Sequence, residues 1–200
     1  SGMNAPLPRK KNLRGDAAWV VFQILENGKS SRDCLAKVQQ RHSSKDSAWL
    51  QEMTMGTMRQ LPQLQIWLRR LLDKPLKGNK KILEHLMMLG IYQLAFTRVS
   101  PHAAVAETVN AAPALGGDSL KGLVNAVLRN TRPLWAVAGS WPALSCCRVS
   151  RSVAATPPLR RLHRSTSGTF RWSSSAERRR RSVLRAYRDH PRASLGVGPR

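Results

Sequence analysis

Between residues 16 and 130 the apolar side chains recur at spacings of three and four, and no stretch alternates with period two for long enough to suggest a strand. Asp16 can cap a first helix carrying Trp19, Val20, Phe22 and Ile24, which Asn27-Gly28 stops. Ser31 can cap a second with Cys34, Leu35 and Val38, and Ser43 or Ser44 opens a third with Trp49, Leu50 and Met53. Pro62 suits the first turn of a fourth helix, whose Leu64, Trp67, Leu68, Leu71 and Leu72 run until Lys74-Pro75. A fifth, over residues 80–98, is apolar on most of its circumference through Ile82, Leu83, Leu86, Met87, Leu89, Ile91, Leu94 and Phe96, which predicts a central position. Ser100-Pro101 starts a sixth with Val105 and Val109. Pro113 and Gly116-Gly117 interrupt it, and Ser119 opens a seventh with Leu120, Leu123, Val124, Val127 and Leu128. The expectation is an all-α bundle of about seven helices over residues 16–130, long enough to bury its own core.

Three glycines, Gly56, Gly90 and Gly122, fall inside these helical patterns, where each costs about 1 kcal/mol relative to alanine. Close helix crossings are the expected reason. Trp19, Trp49 and Trp67 occupy apolar positions and are expected in the core rather than as platforms for stacked bases; Cys34 reads as a small buried hydrophobe.

Outside this stretch the pattern fails on both sides. Residues 1–15 hold Ser1 and Gly2 before Met3, a cloning scar in appearance, and then the basic run Pro8-Arg-Lys-Lys-Asn-Leu-Arg14, which reads as an extended or disordered lead-in. After Asn130 the composition changes abruptly. Residues 1–130 contain 35 Lys, Ile, Met, Asn and Gln; residues 131–200 contain none, although the same rate would give about 19. Arg (15) and Ser (11) dominate, and apolar positions follow neither helical nor strand spacing for more than about a turn. The missing residues mostly have A-rich codons, as expected of a GC-rich gene read out of frame. The competing reading is a genuine disordered, Arg-rich, RNA-binding tail, and either way a largely irregular segment is expected after residue 130.

Charge then narrows the partner. A formal +23 and a pI near 11.6 favour a polyanion: nucleic acid first, an acidic membrane surface second, an acidic protein third. The tail, with 15 Arg against Glu177 and Asp189, supplies +13 of this and leaves +10 for residues 1–130. The basic residues expected to meet phosphate are Arg9, Lys10, Lys11 and Arg14 ahead of the first helix, Lys77, Lys80 and Lys81 at the entry to the fifth, and Arg129 on the seventh.

Other chemistry is not indicated. Cys34, Cys146 and Cys147 form neither a disulfide framework nor a metal-ligand spacing, which favours a reducing, cytoplasmic setting. There is no run of 18 apolar residues and no secretory h-region, so no membrane partner is expected. His42, His85, His102, His163 and His190 lie at no metal spacing, no nucleophile has an evident base, and no Gly-rich phosphate loop occurs. No catalytic, cofactor-binding or metal-binding residue is assigned.

Four segments carry a resemblance: Leu72-Asp-Lys-Pro-Leu-Lys-Gly78, Leu89-Gly-Ile-Tyr-Gln-Leu94, Arg98-Val-Ser-Pro-His-Ala-Ala-Val-Ala-Glu-Thr-Val-Asn110 and Leu120-Lys-Gly-Leu-Val-Asn-Ala-Val-Leu-Arg129. In order and spacing they are similar to the N-terminal NusB-like domain of the RsmB (Sun, Fmu) family, bacterial methyltransferases that make 5-methylcytosine in small-subunit (16S) ribosomal RNA. The match runs over about residues 16–130. The resemblance implies a helical bundle that holds ribosomal RNA, joined in the intact protein to a C-terminal catalytic domain that uses S-adenosylmethionine. That domain is expected to be missing here, since the sequence after Asn130 departs from the family and contains no Pro-Cys pair of the kind its catalytic thiolate occupies. The chain by itself is therefore expected to bind no cofactor and to be inactive. Glu107 and Asn110, in the third segment, are expected to lock the sixth helix to its neighbours rather than to touch RNA. Two alternatives stay open: the free antitermination factor NusB, of the same fold, and a helical protein-interaction module whose charge is incidental.

Overall fold

Asn12, rather than Asp16, starts the first helix. In the computed structural model, which describes residues 5–131 together with 161–164 and 170–173, the Asn12 side chain accepts from the Gly15 amide at 2.9 Å and opens α1 (Leu13–Asn27). Asp16 lies one turn inside and fully buried, a position for which spacing alone gives no warning. The expected stop holds: Gly28 takes a left-handed conformation (φ 61°), and its amide donates to the Gln23 carbonyl.

Helix α2 is Ser31–Gln39, preceded by Ser30 as its cap residue in place of Ser31; α3 is Ser44–Arg59, capped by the Ser43 hydroxyl. Pro62 sits in the first turn of α4 (Leu61–Leu71). A single 3-10 turn, Gly78–Lys80, then leads into α5 (Ile82–Phe96), so the fifth helix begins two residues later than its apolar pattern suggests. Ser100 caps α6 (Pro101–Ala111), and two further 3-10 turns, Pro113–Leu115 and Asp118–Leu120, deliver the chain to α7 (Lys121–Arg129).

Every residue of α5 from 82 to 94 is buried, and α1, α3, α4, α6 and α7 all pack on it. This is the central helix that the all-round apolar pattern predicts. Phe22 from α1, Leu50 from α3, Leu64 and Leu71 from α4 and Leu128 from α7 close over it, each at most 2% exposed. Each such side chain contributes about 1.5–3 kcal/mol by leaving water.

Two of the three mid-helix glycines are crossing points. A Cβ at Gly56 would lie 2.0 Å from the Tyr92 hydroxyl, and one at Gly90 would lie 2.6 Å from a Leu128 methyl, so α3 and α7 approach α5 only because these positions carry no side chain. Gly122 departs from the expectation. It is exposed, and a Cβ there would meet nothing within 4 Å.

The last three of the four resemblance segments meet in one place. Gln93, fully buried on α5, donates to the Thr108 hydroxyl of α6 at 3.1 Å and to the Leu89 carbonyl at 3.2 Å, and Gly90 lies against both Thr108 and Leu128. These motifs therefore define the α5–α6–α7 junction. Glu107 and Asn110, expected to lock α6, are instead exposed, although Glu107 faces Arg14 of α1 electrostatically; Thr108 is the buried α6 side chain bonded to α5.

Beyond residue 131 the structure describes one antiparallel strand pair, β1 (Arg161–Arg164) and β2 (Phe170–Ser173), in register from Arg161 opposite Ser173 to Arg164 opposite Phe170. Four-residue strands are too short for period-two alternation to stand out. The remainder of the Arg- and Ser-rich segment, and with it the choice between a frame shift and a genuine tail, lies outside the described residues.

Candidate nucleic-acid interface

The N-terminal arm, read as an extended or disordered lead-in, forms no helix or strand over residues 5–12 but is held down. The Ala5 carbonyl accepts from both Trp19 Nε1 (2.9 Å) and Gln23 Nε2 (2.8 Å) on α1. Three residues on, the carbonyl of buried Pro8 accepts from Arg41 Nη1 at 2.7 Å. Arg41 in turn forks onto Asp16, with Nε 2.9 Å from Oδ2 and Nη2 paired to Oδ1, while His42 Nε2 lies 2.6 Å from the same Oδ2. A bidentate Arg–carboxylate pair fixes both distance and orientation. These anchors stand 14 to 33 residues from the backbone they hold, so local composition could not reveal them.

Pinned in this way, the arm forms one side of a cleft of about 630 Å³. Phe22, Ile82 and Leu115 give it an apolar floor, Arg9 and Lys10 stand on one side, and Gly78, Asn79 and Gly116 form the other. Lys80 donates to the Gly116 carbonyl, which ties the turn before α5 to the turn after α6. Gly116 reaches that position with φ 73°, a left-handed conformation that suits glycine.

The eight basic residues expected at phosphate divide as follows. Arg9 and Lys10 are exposed at the cleft; Lys77, also exposed, immediately precedes Gly78 on its wall, and Lys80 is half-buried beside Gly116. Lys11, the next residue of the arm, is exposed. Lys81 lies 3.8 Å from Glu26. Arg14 turns inward: its Nε donates to Gln93 Oε1 at 2.9 Å, and its guanidinium lies 4.9 Å over the Trp49 ring. Arg129 is elsewhere, bonded to Asn125 Oδ1 at 3.1 Å on a groove of about 840 Å³ between α6 and α7 that shares no lining residue with the arm cleft. Two of the eight, Arg9 and Lys10, thus line the opening, and two more, Lys77 and Lys80, flank Gly78 and Asn79 on its wall. Trp19 and Trp67 are core as expected, Trp49 is half-buried beneath Arg14, and Cys34 is buried with its thiol pushed up by burial.

Beneath the cleft floor, His85 is buried with its ring edge-on to Phe22 at 5.5 Å and its Nε2 3.1 Å from Glu26 Oε1, the carboxylate that also faces Lys81. Burial pushes His85 down to about 4, outweighing the opposite pull of Glu26. The ring is therefore neutral at physiological pH, a structural histidine rather than an added cation.

Among the described residues no group of three His, Cys, Asp or Glu side chains is placed to hold a metal ion, and no helix is long and apolar enough to cross a membrane. A basic rim over an apolar floor suits an anionic ligand with flat apolar parts, such as a nucleotide chain. We derive no methyl-transfer step from these residues.

Against known proteins, the model of the NusB family matches residues 11–132. Curated relatives include the proteins named ribosomal RNA small subunit methyltransferase B of Proteus mirabilis (strain HI4320), 52% identical over 118 residues, and of Photorhabdus laumondii subsp. laumondii, 50% identical over 118. That of Vibrio vulnificus (strain YJ016) is 46% identical over 119 residues. The matches cover 59%, 59% and 60% of this chain and 28% of each relative. The chain thus spans a little over a quarter of the length of the curated relatives it matches.

Proposed function

Because the chain belongs to the NusB family over residues 11–132, we propose that its helical domain is an RNA-holding domain of a small-subunit ribosomal RNA (cytosine-C5) methyltransferase, and that it grips ribosomal RNA at the arm cleft. The observation that carries this reading is the convergence of Arg9 and Lys10 with the Lys77–Lys80 turn on one opening, although the two segments are some 70 residues apart. The names of these relatives supply the class of RNA. Methyl transfer and S-adenosylmethionine belong, on this reading, to the part of those relatives that lies beyond the match, and the setting is the bacterial cytoplasm.

The physical basis is counterion release. Each cation that neutralises a phosphate frees a condensed ion, so affinity falls steeply with salt but carries little sequence preference. Positioning is then the domain's contribution: the cations fix the RNA backbone, and base identity is read elsewhere. Phe22, Ile82 and Leu115 leave room on the cleft floor for an unstacked base.

The test compares Lys10→Ala with Arg129→Ala in binding to a small-subunit ribosomal RNA fragment. The cleft reading expects the first to weaken binding several-fold more than the second. Equal effects, or no binding by the unaltered chain at low salt, would favour a protein-interaction module.

A further inference from the structure

We propose that Asp16 and Arg41 are positioning residues for RNA binding: through the Arg41 bond to the Pro8 carbonyl they hold the arm so that Arg9 and Lys10 stand at the cleft. This rests on the RNA-holding reading given above, and it assigns a role to residues that no basic run or motif points to.

The geometry is a relay of three links. Asp16 is fully buried on α1 and cannot itself meet RNA. Its two oxygens are taken by Arg41 Nε at 2.9 Å, by Arg41 Nη2 and by His42 Nε2 at 2.6 Å. That leaves Arg41 Nη1 aimed at the Pro8 carbonyl, 2.7 Å away, one residue before Arg9. A guanidinium held rigidly at two points presents its remaining donor in a fixed direction, which a flexible ammonium cannot do. The second hold on the arm, Trp19 and Gln23 on the Ala5 carbonyl, stops the arm from pivoting about Pro8. Without these holds a basic segment without apolar period samples many conformations, and ordering it on RNA costs affinity.

Loss of Asp16 or Arg41 outright leaves a buried group unpaired and threatens the fold, so the informative variants are milder. Arg41→Lys keeps a cation beside Asp16 but cannot serve the carboxylate and Pro8 together. Gln23→Met removes one of the two donors on Ala5 and leaves Asp16 untouched.

The experiment is a double-mutant cycle on the affinity of the full chain for a fluorescently labelled small-subunit ribosomal RNA fragment at about 50 mM salt. Its corners are the unaltered chain, Arg9→Ala/Lys10→Ala, Arg41→Lys, and all three substitutions together. Trypsin cleavage at Arg9 and Lys10 is followed in parallel. The proposal expects Arg41→Lys to weaken binding about tenfold, to speed cleavage of the arm, and to add less than about twofold once Arg9 and Lys10 are gone. Gln23→Met is expected to act in the same direction, and it carries the test if Arg41→Lys fails to fold. A merely structural role would lower affinity equally in both backgrounds, and that result overturns the positioning claim. So does a loss on Arg9→Ala/Lys10→Ala with none on Arg41→Lys or Gln23→Met. If Arg9→Ala/Lys10→Ala leaves affinity unchanged, or the unaltered chain binds no RNA, the functional reading itself falls and takes the positioning claim with it.

Discussion

Arg14 donates its Nε proton to Gln93 Oε1 at 2.9 Å, joining the start of α1 to the middle of the central helix across 79 residues of sequence. Gln93 spends its amide on Thr108 and Leu89, so this one buried side chain serves α1, α5 and α6 together. Arg14→Ala and Gln93→Leu are therefore expected to cost about 1–3 kcal/mol of stability each, because either change leaves a buried polar partner unpaired. Combined, they should cost clearly less than their sum. Urea denaturation of the four chains checks both statements; strict additivity would mean that the bond seen between them contributes nothing.

The mid-helix glycines give predictions of opposite sign. Gly56→Ala and Gly90→Ala put a methyl within 2.0 Å of the Tyr92 hydroxyl and 2.6 Å of Leu128, and each is expected to destabilise by about 1–3 kcal/mol. Gly122→Ala meets open space in a helical position, so it should stabilise by about 0.5–1 kcal/mol. Thermal melts of the three variants decide the matter.

Acid should loosen the bundle through His85. Its folded value of about 4 lies below the ordinary 6.5, so the unfolded chain takes up a proton over that interval while the folded chain refuses it. The stabilisation from keeping the ring neutral is complete above pH 6.5 and is lost as the pH falls towards 4, on the order of 3 kcal/mol in total. His85→Gln should flatten this part of the stability–pH curve. An unchanged slope would show that other groups set it.

The same details show how much a linear reading can carry. Helix number, the central place of α5, the caps Ser43 and Ser100 and the first-turn Pro62 were legible because they depend on neighbours within a turn. Asp16 was misread as a cap because its partners, Arg41 and His42, stand 25 and 26 residues away. The cations of the site were visible as basic runs, yet their division was not. That Arg14 turns inward depends on Gln93, 79 residues away, and that Arg129 lies on another groove depends on how α7 packs beside α6. The arm's order was illegible for the same reason, since the groups that hold Ala5 and Pro8 belong to α1 and to the turn after α2.

The composition change at residue 131 makes a prediction about the gene. An out-of-frame origin expects that a shift of one or two bases near codon 130 restores a continuation containing Lys and Ile. The NusB-family match ends at residue 132, which fits a break at this point. If all three frames lack such a continuation, an authentic Arg-rich tail is the better reading.

The central claim is that the arm cleft grips RNA through its phosphates, and a salt titration tests it most directly. For residues 1–130 binding a small-subunit ribosomal RNA fragment, Arg9, Lys10, Lys77 and Lys80 together predict a slope of log affinity against log salt of about −3, or roughly a 50-fold loss between 50 and 200 mM. Substituting Lys80 and Lys81 by Ala should weaken the binding and make that slope shallower by about one. A slope near zero, or one that these substitutions leave unchanged, would contradict the account.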